Sequence, residues 1–126
     1  MNLNFLLTIA QAKADASAGA LAKAGTAIEG ILDKDPKDVD AREALAEIVG
    51  QQGRRDLEIG ILAEVLQDFE DRWSTADALV AALIADNRRE EAKEVASGFL
   101  LANPDCAEAF DRCVALGIDT AKLAVQ

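Results

Sequence analysis

The chain is punctuated at a fixed interval, and that interval limits its fold more than any other feature does. Gly19, Gly53 and Asn87 recur with an unvarying 34-residue period. Glycine and asparagine are the residues that most easily take the positive φ with which a helix is closed. Pro36 and Pro104, the only two prolines, lie two such periods apart, in Asp35-Pro36 and Asn103-Pro104, with Glu70 midway. The segment after each turn recurs as well: Gly53-Arg54-Arg55-Asp56-Leu57-Glu58 stands one period before Asn87-Arg88-Arg89-Glu90-Glu91-Ala92. Self-similarity at such a period marks a repeat architecture, in which each unit buries its apolar face only by stacking on its neighbours.

Between these breaks the apolar residues recur at three and four. Ala41, Leu45, Ile48 and Val49 do so over 39–52, and Leu57, Ile61, Leu62, Val65, Leu66 and Phe69 over 57–69. Ala78, Leu79, Ala82, Leu83 and Ile84 follow over 75–85, then Ala92, Val95, Ala96, Phe99 and Leu100 over 92–102. This is the period of an amphipathic helix. Alanine-rich segments poor in aromatic and β-branched residues argue against strands. Asp35 and Asn103 read as N-caps with proline at the first helical position. Helices of about a dozen residues joined by short turns are antiparallel neighbours. Gly117 closes a seventh helix, and Asp119 could cap an eighth over Thr120–Val125.

A 34-residue period with a turn in its middle and a proline at its end resembles the tetratricopeptide repeat. Taking the closing proline as register gives units of about 5–38, 39–72 and 73–106, with a further helix over 107–117. The family's large-then-small pair in the first helix is matched by Leu45-Ala46, and by Leu79-Val80 and Cys113-Val114 with a larger second residue; Gln11-Ala12 keeps only the small half. Its small residue early in the second helix is Ala24 and Ala92, but Glu58 in the middle unit. The implied fold is all-α: antiparallel helix hairpins stacked as a short right-handed α-solenoid of about 7–8 helices. Residues 1–126 would form a single domain, with 107–126 as capping helix or helices.

Composition narrows the function. The net charge is −10, from 23 acids against 13 bases, which disfavours nucleic acid and anionic membrane surfaces alike. No stretch approaches the ~20 apolar residues of a membrane span. Phe5–Ala10 has neither the basic start nor the length of a signal peptide and reads as part of the first helix. The chain has no histidine, and so lacks the commonest acid–base residue and metal ligand. Cys106 and Cys113 are seven apart, about 10 Å along a helix, too far to bridge there. They read as small buried hydrophobes in a reducing cytoplasm. Glu43 and Glu47 share a face but fit a solvated acidic surface better than an acid–base pair. The clusters Asp33/Asp35/Asp38 and Asp68–Asp71 lack the ligand series of a calcium loop. Arg54-Arg55 and Arg88-Arg89 stand at equivalent turns and read as local partners of Asp56/Glu58 and Glu90/Glu91. The expectation is therefore no enzyme, no cofactor and no metal site.

In the family that the repeat resembles, the first helix of each pair lines a concave groove that holds a polypeptide. The resemblance places Leu6, Ile9 and Lys13 there in the first unit and Asp40, Glu43, Glu47 and Gln51 in the second. Ser74, Asp77, Ala81 and Ala85 follow in the third, then Glu108, Asp111 and Ala115 in the last helix. Candidate partner-binding residues are Asp40, Glu43, Glu47, Gln51, Asp77, Ala81, Glu108 and Asp111. A carboxylate-lined groove suits a basic or amphipathic segment. The expected function is a cytoplasmic adaptor or scaffold for a protein or peptide partner, chaperone-like in one specialised form. The alternative is a structural protein that self-assembles through its repeat ends or an apolar helix face.

Overall fold

The repeat period is written into the backbone hydrogen bonds. The structure is a computed structural model that describes residues 3–123. Its helices are α1 (Leu3–Ser17), α2 (Leu21–Lys34), α3 (Val39–Gln51), α4 (Arg55–Asp68), α5 (Trp73–Ala85), α6 (Arg89–Ala102), α7 (Ala107–Ala115) and α8 (Thr120–Leu123). There is no strand among the described residues. Gly19, Gly53 and Asn87 have φ of 90°, 81° and 58°. After each, the next N–H reaches back to the last turn of the preceding helix: Ala20 to the Asp15 carbonyl at 2.8 Å, Arg54 to Val49 at 2.9 Å and Arg88 to Leu83 at 2.8 Å. Ile118 repeats the pattern onto Cys113 at 3.0 Å after Gly117, whose φ is 79°. This is the Schellman closure, which needs a left-handed residue at its pivot and so selects glycine or asparagine.

The prolines serve a different purpose from the one the sequence suggests. Asp35 and Asn103 are not N-caps: their N–H groups donate to Ile31 and Phe99, both at 2.8 Å, and so end α2 and α6. Pro36 and Pro104 occupy the second position of four-residue turns closed by Asp38 onto Asp35 at 3.2 Å and Cys106 onto Asn103 at 3.0 Å. Arg72 onto Phe69, at 3.1 Å, is the intervening copy of that turn. Proline suits this position because its ring presets the φ that the turn requires. The true N-cap of α3 is Asp38, whose carboxylate accepts the Ala41 N–H at 2.9 Å. Asp119 does cap α8, accepting from the Lys122 N–H at 3.2 Å. Val125, assigned by sequence to that helix, lies outside the described residues.

The chain divides into two compact units, Met1–Val65 and Leu66–Gln126. In the first, α1 packs on α2 and α3, and α2 on α3. Ile9, Ala12, Ala16, Ala24, Ile28, Ile31, Ala41, Ala44 and Ile48 form its core. The alanines let helix axes approach closely, while each buried isoleucine contributes roughly 1.5–3 kcal/mol. Ile9, which the groove register turns inward to a ligand, is instead part of this core. Between α3 and α4 the packing is unusual. The Glu58 carboxylate lies so close over Gly50 that a Cβ there would sit 2.5 Å from its Oε2, and Arg55 Nη1 donates to Glu58 Oε1 at 2.5 Å. One period later the same two positions are Ile84 and Ala92, so the bulk has moved to the other helix.

In the second unit α5 packs on α6 and α7, α6 on α7, and α7 on α8. Leu79, Val80, Leu83, Ala92, Ala96, Phe99, Ala109, Cys113 and Leu116 are buried. Trp73 tilts onto Phe99 with ring centroids 5.2 Å apart at 59°, an inclination towards the edge-to-face arrangement that aromatic quadrupoles favour over a face-to-face sandwich. Asn103 Nδ2 donates to the carbonyls of Glu70 at 3.2 Å and Phe99 at 3.1 Å. It thereby ties the turn after α6 to the one before α5.

Candidate functional site

The sequence-derived set falls into two groups, one in each unit. Asp40, Glu43, Glu47 and Gln51 lie on α3 at intervals of three, four and four, which sets them on one stripe of a helix spanning roughly 16 Å at 1.5 Å per residue. Glu47 and Gln51 are exposed, and Asp40 and Glu43 are half-buried. The stripe adjoins the face by which Ala41, Ala44 and Ile48 enter the core, and Ala46 and Val49 are buried on the opposite side of the helix. In the second unit Asp77 and Ala81 stand one turn apart on α5, and Glu108 and Asp111 one turn apart on α7. Ala81, Glu108 and Asp111 are exposed.

Asp77 is already engaged: Arg112 Nη2 donates to its Oδ1, bridging α7 to α5. The free negative charge of this stripe therefore comes from Glu108 and Asp111. Sequence reading missed the bridge, although Arg112 stands a single position beyond one repeat interval from Asp77, and so on the adjoining first helix. It also missed Arg42, buried on α3. Register could have found it, since the equivalent position of the next repeat is the fully buried Ala76.

The arginine pairs do serve the local roles expected of them, though through different members. Arg55 meets Glu58 in the first, and in the second Arg88 meets Glu91 at 2.6 Å and Asp86 at 3.6 Å. Hydrogen bonding from Arg88 holds the Glu91 carboxyl below the usual glutamate range and raises the guanidinium in turn. Cys113 is buried, which pushes its thiol up. Cys106 precedes α7 as its N-cap residue and is half-buried, rather than the buried helical residue that its spacing suggests.

Shallow recesses of the second unit lie elsewhere. One of about 480 Å³ is lined by Gln67–Asp71, Ala102 and Asn103. Another, of about 270 Å³, lies between Leu66, Glu70 and the Val95–Ala102 side of α6. Neither contains a residue of the sequence-derived set. Among the described residues no group of three His, Cys, Asp or Glu side chains is arranged to hold a metal, and no helix is long and apolar enough to cross a membrane. No protein-family model and no curated protein matches the chain.

Proposed function

We propose that the chain is a non-catalytic interaction module of the tetratricopeptide type, and that the α3 stripe holds a basic or amphipathic segment of a partner polypeptide. The observation that carries this reading is the line Asp40–Glu43–Glu47–Gln51, held on a helix whose adjoining and opposite faces are buried. A rigid row of carboxylates one helical turn apart is complementary to lysines or arginines at the same spacing on a bound helix. Glu108 and Asp111, on α7 of the second unit, offer a separate acidic pair to the same kind of partner. The protein works in the cytoplasm as an adaptor or scaffold, without cofactor or metal.

The test separates position from overall charge. A fluorescent helical peptide with lysines on one face and leucines on the other is titrated by anisotropy against the wild type. The same titration is run on Glu47→Lys with Gln51→Lys, and on a control carrying Glu64→Lys and Glu94→Lys, exposed residues off the stripe. The stripe variant is expected to bind at least about tenfold more weakly, a loss of about 1.4 kcal/mol, with the control close to wild type. Equal weakening in both variants would mean that the peptide senses only net charge, and the assignment fails.

A further inference from the structure

Two apolar stripes remain uncovered by the packing described above, one on α1 and one on α7. The first is Leu3, Leu7, Ala10 and Ala14, all exposed, with Leu3 at 68% and Leu7 at 62%. Their spacing of four, three and four puts them on one face. One period after Leu7, Ala10 and Ala14 stand Ala41, Ala44 and Ile48, the face by which α3 enters the core that α1 and α2 build. Two and three periods after Leu7 stand Thr75 and Ala109, both fully buried. This is the face that a first helix of the repeat lays on the hairpin before it. In α1 this face carries Leu7 where its equivalents are Ala41, Thr75 and Ala109, and it is bare among the described residues.

The second stripe is Phe110 and Val114, 46% and 54% exposed. One period earlier stand Ala76 and Val80, both fully buried on α5, which has the fourteen-residue α6 packed beside it. The helix after α7 is the four-residue α8, and it leaves the pair uncovered.

Charge decides which stripe meets which. The first acid of the chain is Asp15, and Lys13 is the only charged side chain before it. Asp111 lies beside the α7 stripe, three residues before Val114, and Glu108 and Asp105 add negative charge at the start of the helix. Two α7 faces brought together would set carboxylate against carboxylate, whereas α1 brings the exposed Lys13, and its one acid, Asp15, is already paired with Lys23. We propose that the α1 stripe of one copy docks on the α7 stripe of a second copy, head to tail. Such a contact is heterologous, and two chains joined by a single contact still have one α1 stripe and one α7 stripe unused, so further copies add to the dimer. It rests on few large side chains, which makes it weak, with a dissociation constant between about 10 µM and about 1 mM.

Sedimentation velocity across that concentration range tests it, with Leu7→Asp and Val114→Asp as blocking variants. The wild type is expected to grow in mass with concentration and to pass the dimer. Each variant alone stays monomeric. An equal mixture of the two forms a dimer and nothing larger, because one chain still offers α7 and the other α1. A wild type that remains monomeric overturns the proposal. So does self-association of Leu7→Asp alone, which would mean α7 on α7, or of Val114→Asp alone, which would mean α1 on α1. Circular dichroism verifies the fold of each variant, and Leu3→Asp with Phe110→Asp repeats the scheme at neighbouring exposed positions.

Discussion

Replacing Gly50 by alanine should have opposite effects depending on what stands at residue 58. In the wild type the new Cβ would lie 2.5 Å from Glu58 Oε2, 2.6 Å from Cδ and 2.8 Å from Oε1, so the carboxylate must turn away. Alanine for glycine in a helix gains roughly 0.5–1 kcal/mol. Forcing Glu58 off its rotamer costs roughly 0.5–1.5 kcal/mol. Arg55, whose side chain is 37% exposed, loses a partner worth about 0.3–1 kcal/mol at such a partly solvated site. Taken at the middle of these ranges, the balance is a destabilisation of about 1 kcal/mol. With Glu58→Ala already in place the obstacle is gone, and Gly50→Ala should stabilise by about 0.5–1 kcal/mol. The coupling between the two positions is thus about 1.5–2 kcal/mol, well above the ~0.3–0.5 kcal/mol scatter of independent sites. Urea unfolding followed by circular dichroism on the four proteins of the cycle measures it. If Gly50→Ala shifts stability by the same amount and sign in both backgrounds, the carboxylate does not lie over Gly50 as described.

The remaining expectations concern caps, pivots and titrations. Asp38→Ala should cost about 1 kcal/mol as the loss of an N-cap, while Asp35→Ala, which removes only a carboxylate bond to the Lys37 N–H, should cost less; chemical denaturation ranks them. Gly53→Ala, which forces a left-handed φ of 81° on a residue with a Cβ, should destabilise by about 1–2 kcal/mol, and Asn87→Gly should stabilise slightly, both read as thermal midpoints. A thiol reagent at neutral pH should label Cys106 first and reach Cys113 only on unfolding, because burial both shields that thiol and disfavours its thiolate; mass spectrometry against time decides. Glu91 should titrate below the ordinary glutamate range of about 4.3 and return to it in Arg88→Gln, as followed by NMR. Since its folded pKa is lowered, its contribution to stability is present above that range and is lost as pH falls through the lowered value.

The helices and their turns were legible because the closures demand particular residues. A left-handed pivot excludes nearly everything but glycine and asparagine, so Gly19, Gly53 and Asn87 announce three helix ends in advance. Proline is less exclusive: a preset φ suits the first position of a helix and the second of a tight turn equally, and Pro36 and Pro104 take the latter. Glu58 stood out in sequence as an acid where Ala24 and Ala92 are small, but what makes room for it is on another helix, at Gly50. Arg112 with Asp77 and the burial of Arg42 likewise depend on neighbours that are local in register and not in the chain. The α3 stripe could be read because its spacing follows from one helix alone. The exposed pairs Leu3/Leu7 and Phe110/Val114 could not, since leucine, phenylalanine and valine at helical spacing look like core until their cover is known.

A chain of similar hairpins can fold with the wrong helices paired, one repeat out of step. The Gly50–Glu58 fit discriminates against that error. If α6 slipped into the place of α4 beside α3, Ala92 would face Gly50 and leave an empty space. If α4 took the place of α6 beside α5, the Glu58 carboxylate would arrive at Ile84. Exchanging bulk between the two sides of the hairpin from the second repeat to the third gives α4 one proper mate, α3, and so marks the place of the middle repeat in the folded chain.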